Sequence, residues 1–97
     1  MMRARMARRR IHNIVGSNLR RVRRSKGLRQ VDIVARCQLI GWQLTRETLA
    51  KIEADLRRVN DAEVAMLARA LALDVEDLLF CPRDQLLDIA RHGEDEL

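Results

Sequence analysis

The sequence has few of the residues that build β-sheets, catalytic clefts and cofactor sites. Aromatic residues make up 2% of its 97 positions, Trp42 and Phe80 alone. So few rings argue against an aromatic stacking platform for single-stranded nucleic acid. Cysteine occurs twice, at Cys37 and Cys81. Their separation matches no metal-ligand spacing, and their apolar settings suggest buried thiols in a reducing cytoplasm. No apolar run approaches the ~18 residues of a membrane span. No hydrophobic stretch follows the basic start, so no signal peptide is expected. Without an export signal, the terminal EDEL is not an ER-retention tail. A cytoplasmic, nucleoid-associated location follows as the expectation. The four glycines form no phosphate-binding loop. His12 and His92 lie near opposite ends, beside neither an obvious nucleophile nor a cysteine cluster. No catalytic residue, metal or cofactor is therefore expected. Asp74, Glu76 and Asp77 suit helix capping better than catalysis.

Acid is missing from one end. Residues 1–30 carry eleven Lys and Arg and no Asp or Glu, a charge of +11. Residues 31–97 carry eight basic and fourteen acidic groups, −6, which together give the net +5. Such asymmetry points to a polyanion partner at the N-terminal end.

What the chain does contain is Ala, Leu, Arg and Glu, all good helix formers. Its length suits one domain with one modest core. An all-α fold is predicted. Residues 1–13 form a basic arm, 14–81 the folded domain, and 82–97 a short C-terminal segment with an acidic tail.

The first helix falls in IHNIVGSNLRRVRRSKG, starting near Ser17 or earlier, with Leu19 and Val22 as its apolar stripe. Gly27 suits the left-handed position past its end, with Leu28 folding back. The second helix, QVDIVARCQ, places Ile33, Val34 and Cys37 on one face. Arg29 stands where a hydroxyl or acidic cap is preferred, which costs roughly 1 kcal/mol. Asp32 in the first turn offsets part of that. The connector LIGWQL reads as a packed turn bending at Gly41, because Leu39, Ile40, Trp42 and Leu44 are too apolar for a solvated loop.

Thr45 caps the third helix, Arg46 to about Asp55. Leu49, Ile52 and Leu56 turn inward. Arg46, Glu47, Ala50, Lys51 and Ala54 face away. Asn60 and Glu63 form a capping box before a fourth helix, which turns Val64, Leu67, Ala68 and Leu71 inward. Asp74 to Asp77 repeats the device for a fifth, with Leu78, Leu79 and Phe80 supplying core and Pro82 ending it. A last helix, Asp84 to Arg91, shows Leu86, Leu87 and Ile89 to the core or to a partner subunit. The terminal GEDEL is expected to fray.

The order of these pieces is familiar. GSNLRRVRRSKGLRQ, the pair Ile33-Val34, TRETLAKIE and LARALALDVEDLL follow one another at the right spacing. From Gly16 to Phe80 the chain resembles the Cro/cI-like (XRE-type) helix-turn-helix regulators of bacteria and phages. The resemblance implies a compact five-helix lambda-repressor-like DNA-binding domain, here with a short extra C-terminal helix. In that family the second helix crosses the DNA backbone and the third enters the major groove. It implies sequence-specific binding of double-stranded DNA by a small transcriptional regulator, a repressor, acting as a homodimer on paired half-sites. By the same resemblance Gln30 meets a phosphate, and Arg57 and Arg58 meet phosphates from the loop after the third helix. Arg46, Glu47, Ala50 and Lys51 occupy the base-reading face, and Glu53 is structural.

Two departures stand out. Gln30 to Glu53 is about five residues longer than the usual spacing, and the extra residues fall in CQLIGWQL. Arg29 replaces the usual hydroxyl cap, from where it can reach a phosphate. The chemistry of base reading fits the residue types. Arg46 can donate two hydrogen bonds to guanine, Glu47 can accept from cytosine N4, and Ala50 offers a methyl to thymine. Thr48 reads a base edge or completes the first turn. Glu47 alternatively orients Arg46 or Lys51, the latter four residues on. The arginines of the arm suit a minor groove beside the main site. The rival reading is a protein-binding module of the same fold, an antitoxin or adaptor, for which an exposed Trp42 would argue.

Overall fold

Four successive helices end by reversing the chain in the same way, and this repeated device sets the fold. The computed structural model describes the backbone of residues 11–95 and the side chains of 11–91. The arginine-rich stretch of the arm, residues 1–10, and residues 96–97 lie outside the described residues. Among the described residues there are six α-helices and no strand: α1 (Val15–Ser25), α2 (Gln30–Leu39), α3 (Arg46–Glu53), α4 (Asp61–Leu71), α5 (Val75–Leu79) and α6 (Arg83–Asp95).

The reversals use left-handed residues: Gly27 (φ 70°), Gly41 (φ 96°), Asp55 (φ 58°) and Ala72 (φ 56°). In each case the next amide donates back to a carbonyl five residues earlier. Leu28 bonds to Arg23, Trp42 to Cys37, Leu56 to Lys51 and Leu73 to Ala68, at 2.9 to 3.0 Å. This is the Schellman closure, which satisfies carbonyls left orphaned at a helix end. Gly41 adopts it without Cβ strain. Asp55 and Ala72 adopt it at a cost of roughly 1–2 kcal/mol each. The connector is therefore part longer α2, part Schellman turn. Trp42, half-buried, folds back onto the core from the far side of Gly41.

Helix starts follow side-chain chemistry. Thr45 Oγ1 accepts from the Thr48 amide at 3.2 Å. Asn60 Oδ1 accepts from the Glu63 amide at 2.8 Å, and the Glu63 carboxylate accepts in turn from the Asn60 amide at 3.1 Å, completing the expected capping box. Asn13 Oδ1 accepts from the Gly16 amide at 2.6 Å and so caps α1. Arg29 cannot accept. Its own amide instead donates to Asp32 Oδ2 at 2.6 Å, and its guanidinium reaches the same carboxylate at 3.2 Å.

α1 packs on α3 and α5, α2 on α3 and α4, and α4 on α5. Between them lie Leu19, Ile33, Cys37, Leu49, Ile52, Leu67, Leu71 and Leu78, all fully buried. Each such aliphatic side chain contributes about 1.5–3 kcal/mol. α1 crosses α3 so closely at Gly16 that an added Cβ would collide with the Ile52 carbonyl.

The structure corrects several sequence expectations. Leu56 is 61% exposed rather than inward, because α3 stops at Glu53 and the reversal at Asp55 ends its period. Leu79 and Phe80 do not supply core: α5 turns only Leu78 fully inward, and Phe80 is 76% exposed past its end. Leu39 and Ile40 are exposed as well. They end α2 on its outer side, while Trp42 and Leu44 pack inward. The device at Asp74 differs from that at Asn60, since the Asp74 side chain makes no capping hydrogen bond. α6 runs to Asp95, so Gly93 to Asp95 of the expected frayed tail are helical. Unlike the other five, α6 packs closely on no other helix among the described residues.

Candidate nucleic-acid interface

α3 presents two unlike sides. Inward, Leu49, Ile52 and Glu53 are buried. Outward, Arg46, Glu47 and Lys51 are exposed, and Thr48 and Ala50 are half-buried. Thr48 is tied into the cap, since its hydroxyl accepts from Thr45 Oγ1 at 3.0 Å. Among the described residues Glu47 and Lys51 form no ion pair, with each other or with Arg46. The alternative role for Glu47, orienting Arg46 or Lys51, thus finds no ion pair among the described residues. The acid sits in the first turn and the base in the last, each favoured there by the helix dipole.

The inward side is pinned by charge as well as by packing. Arg23 Nε and Nη2 donate to Glu53 Oε2 and Oε1 at 2.8 and 2.9 Å, a bidentate pair with both partners buried. The hydrogen bond to Glu53 is the main cause that raises the Arg23 pKa above its ordinary value. Arg23 Nη1 also donates to the Leu28 carbonyl at 2.9 Å, and Gln30 Nε2 to Glu53 Oε1 at 3.1 Å. One carboxylate therefore joins α1, α2 and α3. Glu53 has the structural role the resemblance implied. Arg23, within the basic run of α1, is a buried partner of this carboxylate.

A second clasp holds the root of the arm. Asp55 Oδ1 accepts from the amides of His12 and Asn13 at 2.8 and 2.9 Å. Asn13 Nδ2 donates to the carbonyls of Arg57 and Ile52 at 2.8 and 3.3 Å. His12 Nδ1 lies 3.1 Å from the Asp55 carbonyl. Residues 12 and 13, read in sequence as arm, are thus fixed to the end of α3, so the arm departs from there. The residue types gave little signal for this. Asp55 occupies a left-handed position where glycine is usual, and its partners lie more than forty residues away.

The expected phosphate contacts divide. Gln30, half-exposed at the start of α2, has its amide turned to Glu53. Arg29 is exposed but paired with Asp32, whose carboxyl it holds below the usual carboxylate range, chiefly through their side-chain hydrogen bond. Arg57 is turned to Glu63, with Nη2 at 3.1 and 3.2 Å from its two oxygens, and its Nη1 is buried without a partner among the described residues. Arg58 is exposed. Among the described residues, cations without a carboxylate partner at this end include Arg20, Arg21, Arg24 and Lys26 of α1 and its exit, of which Arg21 bonds to Asn18, with Arg46 and Lys51 of α3.

Cys37 is buried in the core, and burial pushes its thiol up to about 11. Burial, with Asp84 nearby, also raises Cys81. Among the described residues no three His, Cys, Asp or Glu side chains group as metal ligands. No helix there is long and apolar enough to cross a membrane. Comparison of the chain with family models, curated proteins and solved structures finds no match.

Proposed function

We propose that this chain binds double-stranded DNA sequence-specifically, with α3 in the major groove, as a small transcriptional regulator that represses. The observation that carries the reading is the outer side of α3. Arg46, Glu47 and Lys51 stand exposed and, among the described residues, unpaired on a helix whose other side is locked to α1 and α2. Rigid backing suits base reading, because bidentate contacts tolerate little misplacement. Arg46 and Lys51 donate to base edges, Glu47 accepts from cytosine, and Ala50 lets the helix approach closely. Thr48, tied to Thr45, serves the helix rather than a base. The arm adds backbone contacts, and Arg29, Gln30, Arg57 and Arg58 join it by exchanging protein partners for phosphates.

Paired half-sites call for a homodimer. Val75, Leu79, Phe80, Leu86 and Leu87 are exposed within α5, α6 and their junction, an apolar face that suits a second copy. The acidic residues of α4, α5 and α6 would lie away from the duplex.

Selection of bound duplexes from a random library at physiological salt tests the proposal. A palindromic motif is expected, and recovery of no preferred sequence would overturn it. On the selected duplex, Arg46→Ala is expected to lose about 1–3 kcal/mol and to relax preference at one base pair. An equal loss on every duplex would remove Arg46 from the reading face.

A second reading, a protein-binding module, is favoured by Leu39, 86% exposed beside the exposed Ile40 at the end of α2. It predicts a partner complex that survives replacement of both Arg46 and Lys51. The inward packing of Trp42 favours the first reading.

A further inference from the structure

We infer that Arg20 and Arg24, on the outer side of α1, hold a backbone phosphate of the same duplex that α3 reads. This rests on the DNA-binding reading above. The two arginines, four residues apart, follow one another on one helix face, with Ser17 a turn before Arg20. With Glu53, they border an open crevice of about 340 Å³ between α1 and the end of α3. Ser17, Arg20 and Arg24 are exposed, and among the described residues neither arginine has a hydrogen-bond or ion-pair partner.

The crevice suits an anion although a carboxylate lies at its base. Glu53 accepts two bonds from Arg23 and one from Gln30, so its charge is already matched inside the protein. Its side chain is 2% exposed and presents almost nothing to an incoming phosphate. Arg21, also at the crevice, donates to Asn18 Oδ1 at 2.9 Å and is held there. That leaves two guanidiniums and a hydroxyl. Like charges four apart on a helix repel, and an anion seated between them relieves the repulsion. Guanidinium is the group best matched to phosphate oxygens. The contrast with Arg29 and Arg57 is informative. Each of those must release a carboxylate before it can take a phosphate, whereas Arg20 and Arg24 release nothing but water and counterions. The bond from Arg23 to Glu53 ties the crevice to α3, so a phosphate held here fixes how deeply α3 sits in the groove.

The test uses the full chain, the selected duplex and an unrelated duplex, each titrated over a range of salt. Arg20→Gln with Arg24→Gln is expected to weaken both duplexes by a similar factor, roughly tenfold to a hundredfold. The dependence of log affinity on log salt should become shallower by about one unit for each phosphate that the variant no longer neutralises. The base preference found by selection should stay the same. A control pair that removes the same charge elsewhere, Arg69→Gln with Arg83→Gln, should leave the slope unchanged. Because the side chains are exposed, thermal melting of both variants should match the parent, which separates binding from folding. If the parent protein binds the selected duplex and the Arg20/Arg24 variant keeps its slope, the assignment is overturned while the DNA-binding reading stands. Equal slope changes in both variants would also overturn it, by showing a diffuse charge effect. Failure of the parent protein to bind any duplex overturns both.

Discussion

Glu53 shows how much can depend on one side chain that meets no ligand. It is a buried anion, tolerable only because Arg23 and Gln30 satisfy it. Glu53→Ala would leave the Arg23 guanidinium buried with the Leu28 carbonyl as its remaining partner, and should destabilise the protein by roughly 3–5 kcal/mol. Replacing both, Arg23→Met with Glu53→Leu, should recover most of that loss, since apolar groups of similar size need no partner. Urea denaturation of the three proteins checks this, and a Glu53→Ala variant within about 1 kcal/mol of the parent would contradict it. The position was legible as structural from the family-like pattern. Its partner was not, because arginine in a basic run looks like every other arginine around it. Only the helix phase, which turns Arg23 inward beside Leu19, separates it from Arg20 and Arg24.

At the scale of the element, helix starts were more readable than helix ends. A start is marked by an oxygen that accepts from the backbone, so Thr45 and Asn60 could be named from residue type and spacing. Asp74 had the same residue type without the bond. The contrast is measurable. Asn60→Ala should cost about 1 kcal/mol, whereas Asp74→Ala should cost only a few tenths, through the helix dipole alone. Equal losses in chemical denaturation would mean that Asp74 caps α5 in solution after all. Ends were legible at Gly27, where glycine fits the left-handed turn, and a bend was legible at Gly41. They were hidden at Asp55 and Ala72, non-glycine residues in a conformation they do not prefer, held at Asp55 by long-range bonds from His12 and Asn13. The hidden end at Asp55 explains why Leu56 left the inward stripe. It also built the clasp on His12 and Asn13.

For the whole molecule, the all-α class, the order of the helices and most of the core could be read from periodicity, while the weak packing of α6 could not. Its apolar stripe looks the same whether a helix lies on its own core or waits for another chain. Deleting residues 83–97 should leave the unfolding free energy of the remaining chain within about 0.5 kcal/mol of the full protein at low concentration. It should also remove any dependence of the unfolding midpoint on protein concentration. A loss of several kcal/mol in the dilute chain would place α6 in the core instead. Charge acts at this scale too, since a cationic N-terminal half and an anionic remainder would orient the molecule as it approaches a polyanion. The crossing at Gly16 has a practical side. α3 is seated there on bare main chain, with Glu53 locking it from within, so its pose owes nothing to Arg46, Glu47 or Lys51. Those three positions can be rewritten to seek a new target while the scaffold beneath them goes unrepacked.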